Sequence, residues 1–253
     1  TYRTYRGDFI MATTPTGLMK ILTRPTYFDF YLNKTSARIT SLSGHYKTQD
    51  NTGNAFYKFK FATHEGFRYS NFPDGTAGLR VFIEDLYGRT GTENEELIAL
   101  FDDDERTYDL TTYNGALSVS QTNQLKVVTA STGDSNITIN TASVSDSPSG
   151  LLFKKGDFLQ PLGPSENYRY PYQVTEDVTY ADNSNIIVNI NRPIIAQTGV
   201  TLEGGTGPNY SGGVAVGKKV RFVIKVVSLP TYSVVPHDRV RFNGDFELIE
   251  VIL

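Results

Sequence analysis

The sequence is defined first by what it lacks. None of its 253 residues is a cysteine, which excludes disulfide bonds, thiolate metal ligands and a cysteine nucleophile. No apolar run approaches the roughly 18 residues that a membrane-spanning helix needs, so we expect no membrane partner. No charge of one sign dominates, because 24 basic and 27 acidic side chains give a net charge of −3. We therefore expect no nucleic-acid partner.

The length of the chain allows one large β domain or two small ones, with an ample core. The sequence begins at Thr1 rather than at methionine. This indicates a processed product or an incomplete record, and Met11 is an alternative start.

Helix signals are scarce. The pattern predicts one short helix over residues 92–101, where Thr92 and Glu95 fit a capping box before an apolar stripe. Elsewhere, runs of four to eight residues rich in Tyr, Phe, Val, Ile and Thr alternate with turn dipeptides such as Asp74-Gly75. Many short strands at this spacing predict an all-β fold, a sandwich or a barrel.

The last forty residues carry the clearest strand pattern. Val220, Phe222 and Ile224 alternate with basic side chains, which predicts a strand with one apolar face inward. Further on, Asn243-Gly244 separates two strand-like runs. This dipeptide predicts a type I′ hairpin in which both residues have a positive φ.

Composition changes along the chain and suggests three regions. Residues 1–124 form an aromatic-rich β domain, a sandwich or barrel that contains the short helix. Residues 125–203, rich in Ser, Thr, Asn and Val, form an inserted small β-barrel with strands near 125–130, 136–142, 150–161, 172–180 and 186–190. Residues 204–253 form a glycine-rich linker and terminal strands that return to the first domain.

The sequence offers few candidate catalytic or metal-binding residues, and we predict no catalytic residue, no metal site and no cofactor. The three histidines, His45, His64 and His237, lie in different segments without metal-ligand spacing, so we expect them on the surface. The acidic cluster lacks the glycine-bearing spacing of an EF-hand loop, and a solvated face is its expected role. This cluster consists of Glu93, Glu95, Glu96, Asp102, Asp103, Asp104 and Glu105.

Aromatic and basic residues interleave over residues 56–61. Such a strip also occurs where proteins stack single-stranded nucleic acid. In a strand, however, Tyr57, Phe59 and Phe61 share one face while Lys58 and Lys60 share the other. We therefore expect these rings in the core and the lysines in solvent.

Four stretches carry a family resemblance: residues 154–161 (KKGDFLQP), 168–178 (YRYPYQVTEDV), 191–193 (NRP), and 233–236 (SVVP) onward to 242–248 (FNGDFEL). They resemble structural proteins of tailed bacteriophages, particularly tail and baseplate components. The resemblance implies a non-enzymatic virion protein that assembles in the host cytoplasm. It also implies a homo-oligomer that contacts other virion structural proteins. A head or neck protein is an alternative.

Two sets of residues are candidate interface residues, since Tyr and Arg are enriched at binding hot spots. The first set is the N-terminal arm, in which we expect Tyr2, Arg3, Tyr5 and Arg6 to dock on a neighbouring subunit. The second set is Tyr168, Tyr170 and Tyr172. If these three rings are exposed around a groove, a glycan-binding module is the alternative function. A glycan hydrolase is a further alternative and requires two carboxylates paired in a cleft.

Overall fold

The computed structural model describes residues 17–21, 25–40, 46–63, 67–72, 75–88, 97–99, 101, 110–146, 148–162, 168, 170–197 and 212–252. The fold is all-β, as the sequence predicts. Short helices are α1 (Gly17–Ile21), α2 (Leu79–Gly88), α3 (Val119–Thr122) and a 3-10 turn at Gly217–Lys219. None of the helices in the described ranges is both long and apolar enough to cross a bilayer.

The strands of the first part of the chain are β1 (Pro25–Thr40), β2 (Tyr46–Thr63), β3 (Phe67–Arg68) and β4 (Leu97–Ala99). The middle contains β5 (Lys126–Thr129), β6 (Asn136–Asn140), β7 (Leu151–Phe153), β8 (Phe158–Pro161), β9 (Tyr172–Gln173), β10 (Val178–Thr179) and β11 (Asn185–Asn189). The last strands are β12 (Val214–Val216), β13 (Phe222–Ser228), β14 (Thr231–Val235), β15 (Arg239–Asn243) and β16 (Phe246–Glu250).

The largest sheet has the order β1-β2-β16-β13-β4 and covers an aromatic core. The strand alternation predicted for β2 is confirmed: Tyr57, Phe59 and Phe61 are buried, and Lys58 and Lys60 are half-exposed. The inward face predicted around β13 is confirmed as well. Phe222 meets the rings of neighbouring residues at centroid distances between 5.4 and 6.1 Å, the residues being Phe30, Tyr57, Phe59, Phe101 and Phe158.

A second core, here called the middle core, lies under strands β5 to β12 and includes Leu125, Val127, Ile139 and Val188. Its strands form open sheets with the orders β11-β6-β5, β12-β8-β9 and β10-β7, and these do not close into one barrel. Isolated bridges join the sheet edges, one between Lys126 and Gly213 and one between Val174 and Ile190.

The two cores share strand β8. Successive strand residues point to opposite faces, and here Phe158 packs in the aromatic core while Leu159 packs in the middle core. The first terminal strand, β12, pairs with β8 in the middle region. The next terminal strand, β13, pairs with β4 and β16 in the large sheet. The proposed domain boundaries stay a prediction, because two packed cores are not by themselves independent folding units.

The helix predicted over residues 92–101 is wrong for its described part. Residues Leu97–Ala99 form a strand that pairs with β13, so pairing with a distant strand overrides the local helix signal. The described helix of this region is α2, in which Leu79 and Ile83 are buried one turn apart. It follows Gly78, whose φ of +109° is a conformation that L side chains rarely adopt.

The hairpin predicted at Asn243-Gly244 is also wrong. Gly244 has a φ of +112°, but Asn243 is not among the residues with positive φ. The dipeptide links β15 to β16, which belong to different sheets. The hairpin lies instead between β14 and β15, where His237 and Asp238 have φ values of +70° and +57°.

Candidate functional site

The largest fully buried side chain among the described residues is that of Arg192, which lies just after β11 and between the two cores. Its two terminal nitrogens bond both carboxylate oxygens of Glu250, with Nη2 at 2.6 Å from Oε1. Nη1 also donates to the Ala55 carbonyl at 2.9 Å, and Nη2 to the Pro171 carbonyl at 2.8 Å. Nε is a buried atom with no acceptor among the described residues.

Two tyrosine rings flank the guanidinium. Its carbon lies 4.7 Å from the ring centroid of Tyr57 and 5.3 Å from that of Tyr172. These are cation–π contacts, which gain strength when the cation is desolvated. The Tyr57 hydroxyl accepts a hydrogen bond from Asn191 Nδ2 at 2.6 Å, and the Tyr57 amide donates to Glu250 Oε2 at 3.0 Å.

The electrostatics of this site follow from burial and from the ion pair. Burial acts to lower the pKa of Arg192, but the charge and hydrogen bonds of Glu250 outweigh it and raise that pKa. Burial also raises the pKa of Tyr57, although Arg192 and Asn191 oppose the shift. The arginine therefore stays charged, and the phenol stays neutral, throughout the physiological pH range.

This arrangement can hold segments together but cannot reach a substrate. The side chains of Arg192 and Glu250 are both 0% exposed, whereas an acid or base catalyst must come within hydrogen-bond reach of the reacting group. The contacts connect the segment after β11 to the last strand, β16, and to β2. We therefore assign a structural role to this buried junction, defined as Arg192, Glu250, Tyr57, Tyr172 and Asn191.

The candidate interface tyrosines of the middle region are buried in the chain's own core. Tyr168, Tyr170 and Tyr172 are only 2%, 0% and 0% exposed. Tyr172 accepts a hydrogen bond from the Ile195 amide, and its hydroxyl contacts that of Tyr168, which donates to the Ile195 carbonyl. Because each hydroxyl finds a partner inside, the rings can be buried. The condition for the glycan-binding alternative, that these three rings are exposed around a groove, is therefore not met.

Asp157 fixes the shape of one turn in the resemblance segments. This carboxylate is 1% exposed and accepts the Lys154 amide at 2.9 Å and the Asn114 amide at 3.0 Å. Gly156, with a φ of +99°, precedes it in the turn between β7 and β8. The Gly-Asp pair therefore fixes the turn and ties it to the segment before α3.

Several residues singled out from the sequence lie outside the described residues. These are Tyr2, Arg3, Tyr5 and Arg6 of the N-terminal arm, His45, His64 and the whole acidic cluster. Docking of the N-terminal arm thus stays a prediction. His237 is exposed in the β14–β15 turn. Within the described part of the chain, no three His, Asp or Glu side chains lie close enough to hold a metal ion.

Sequence reasoning missed the buried junction. Arg192 and Glu250 are 58 residues apart, and charged residues are rarely buried unless they are paired. The only local signal is that Asn191, Arg192 and Pro193 form one of the four resemblance segments.

Comparisons with known proteins do not add a family to this description. No protein-family model matches the chain, and a search of curated proteins finds no match. Function must therefore be inferred from the residues and their contacts.

Proposed function

We propose that the chain is a structural protein of a tailed-bacteriophage virion, a non-enzymatic tail or baseplate building block. In this role it assembles symmetrically with copies of itself and with neighbouring virion proteins, in the host cytoplasm. Support comes first from the resemblance segments. Two of them contain Asp157 and Arg192, whose contacts join distant parts of the chain.

The observation that carries the proposal is the long β1–β2 ribbon. Strand β16 pairs with β2 only from Lys58 to Phe61. Beyond this sheet, β1 and β2 continue as partners, from Thr35 opposite Asn51 to Thr40 opposite Tyr46. The distal ribbon, defined as residues 35–40 and 46–51, is therefore two-stranded among the described residues and about 17 Å long.

An isolated two-stranded ribbon is at best marginally stable in water. Within the described ranges no third strand pairs with its outer edges, and open strand edges are templates for pairing with another chain. A ribbon of this kind is stabilised when it lies on a neighbouring subunit. This need for a neighbour is what supports the proposal of a building block.

The test is to delete the distal ribbon and to measure the mass of the assembly. One variant deletes residues 35–51 and joins Lys34 to Thr52 through Asn-Gly. The control keeps the ribbon and replaces residues 41–45 with a Gly/Ser loop of the same length. We expect the intact chain and the control to form particles of defined mass in light scattering and rings or tubes in electron micrographs.

The deletion variant should remain a folded monomer of slightly below 28.1 kDa, with a cooperative melting transition. An intact chain that stays monomeric at every concentration would overturn the proposal. Assembly that survives the deletion unchanged would show that the ribbon is not the assembling element.

A further inference from the structure

Strand β14 lies at the edge of the small sheet β14-β15-β3. Within the described ranges no strand pairs with its outer side. Edge strands are usually protected by a charged side chain, a proline or a β-bulge. The segment Thr231–Val235 (TYSVV) contains neither a charge nor a proline, and its pairing with β15 has no register shift. This edge therefore lacks the usual barriers to pairing with a further strand.

One apolar side chain on the core-facing side of β14 is left in solvent. Val234 pairs with Val240 of β15, so both side chains point to the same side of the sheet. Val240 is 0% exposed, whereas Val234 is 55% exposed. On the same side, the ring of Tyr232 lies 6.5 Å from that of Phe242 and 4.8 Å from that of Tyr87. A strand added at this edge would extend the covered side and bury Val234.

Two prolines limit the segment that can pair. Pro230 precedes the strand and Pro236 follows it, and proline has no amide hydrogen to donate to a neighbouring strand. Pairing is thus confined to residues 231–235. Two copies of this segment overlap completely in only one antiparallel register, in which Ser233 lies opposite Ser233 of the second copy.

The side chains are self-complementary in this register. Tyr232 of each copy lies opposite Val234 of the other, on the core-facing side of the sheet. Pairs of an aromatic and a β-branched side chain stabilise antiparallel strands. The two-fold axis produces this pair twice, and each pair covers the valine that is exposed in the single chain.

Charge does not oppose the pairing. The arginines of β15, Arg239 and Arg241, lie one strand in from the edge. In a continuous sheet of both copies, Arg241 of one copy would lie three strand spacings from Arg241 of the other, about 14 Å. This exceeds the screening length of about 10 Å at 0.1 M salt. Because β14 itself is uncharged, it favours a second copy of the same strand over a charged partner.

We infer that β14 pairs with β14 of a second copy, antiparallel and about a two-fold axis at Ser233. This inference rests on the proposed function, since it names a second surface by which copies meet. The contact is isologous, because both copies contribute the same strand. Two strands of this length bury less than the area of about 1,200 Å² that a stable interface needs. The contact therefore forms between copies that the distal ribbon already holds together.

Because the chain has no cysteine, a single new thiol tests the register in the full chain. In S233C the two thiols lie directly opposite each other, where the Cα atoms of antiparallel strands are about 4.5–5.5 Å apart, within the range of a disulfide. The matched control is T231C, on the same side of the same strand. Its two thiols lie four residues apart along the paired strands, about 13 Å, which is too far for a disulfide.

Mild oxidation should convert S233C to a species of twice 28.1 kDa on a non-reducing gel, at least tenfold faster than T231C. Both positions are exposed, so both variants should keep the circular dichroism spectrum of the intact chain. Adding V234K to S233C should slow the crosslinking, because it places a charge opposite Tyr232 of the other copy. Deleting residues 35–51 from S233C should reduce its rate to that of T231C.

Equal rates for S233C and T231C would overturn the inference, and so would a rate that V234K leaves unchanged. A rate unchanged by the deletion of residues 35–51 would overturn the dependence on the distal ribbon. Light scattering of the intact chain separates this inference from the proposed function. Assembly of the intact chain without preferential crosslinking of S233C overturns the inference alone, whereas a chain that stays monomeric at every concentration overturns both.

Discussion

The guanidinium of Arg192 and the carboxylate of Glu250 form an ion pair in which both side chains are fully buried. The pair connects the segment after β11, in the middle region, to the last strand of the large sheet. Two backbone carbonyls, at Ala55 and Pro171, occupy the remaining hydrogens of the terminal nitrogens. The pair therefore joins the middle region to the large sheet through one side chain from each.

Breaking this pair from one side should be costly. Arg192→Met or Glu250→Gln leaves a buried polar group without its partner, and we expect each to lower the free energy of unfolding by about 3–5 kcal/mol. The double variant R192M/E250L should lose less stability than the two single variants added together, because no charge is left unpaired. It should still be less stable than the intact chain, because the carbonyls of Ala55 and Pro171 and the amide of Tyr57 lose these partners. Denaturant unfolding of the two single variants, the double variant and the intact chain measures these free energies.

The control for these variants is Arg80→Met, which removes the exposed ion pair between Arg80 and Glu84 and should change the free energy of unfolding little. Single variants at Arg192 and Glu250 that are as stable as this control would show that the buried junction does not hold the cores together.

The buried tyrosines predict an alkaline limit to stability. Burial raises the pKa of Tyr172 to about 12 and that of Tyr113 to about 12, from an ordinary value of 10.0. A pKa raised by folding contributes stability that is complete below pH 10 and is lost as the pH rises toward 12. Phenolate absorbance should thus show late-titrating groups that ionise together with unfolding. In denaturant all tyrosines should titrate near 10; the same curve in the native protein would contradict the burial.

Gly244 should be intolerant of a side chain. Its φ of +112° is a conformation that a β-branched residue rarely adopts, so Gly244→Val should cost about 1–3 kcal/mol. Asn243→Ala is the matched control, since Asn243 is not among the residues with positive φ. A melting temperature unchanged by Gly244→Val would contradict the turn geometry.

The sequence predicted the strands whose signal is local. Alternation in β2 and around β13 correctly places the side chains of Tyr57 and Phe222 in the core. The strands predicted for the middle region are also present, although two of them are each interrupted by a turn and form two shorter strands. Contacts between distant residues were not predictable. The pairing of β4 with β13 replaced a local helix signal. The partners of Tyr172 and Arg192 come from other segments, so Tyr172, a candidate interface residue, lies in the core.

The middle region offers a test of the domain boundary. The predicted fragment 124–203 lacks Leu117, Val214 and Val216, which pack in the middle core. We therefore expect a fragment of residues 110–217 to unfold cooperatively by circular dichroism, and at a higher temperature than 124–203. A random-coil spectrum for the longer fragment would show that the middle region needs the large sheet in order to fold.

The central claim, that this chain is a self-assembling building block, is tested most directly by its mass in solution. Light scattering of the intact chain over a wide concentration range should give one defined multiple of 28.1 kDa, and deletion of residues 35–51 should reduce that mass to a single copy. A mass of 28.1 kDa for the intact chain at every concentration would contradict the claim.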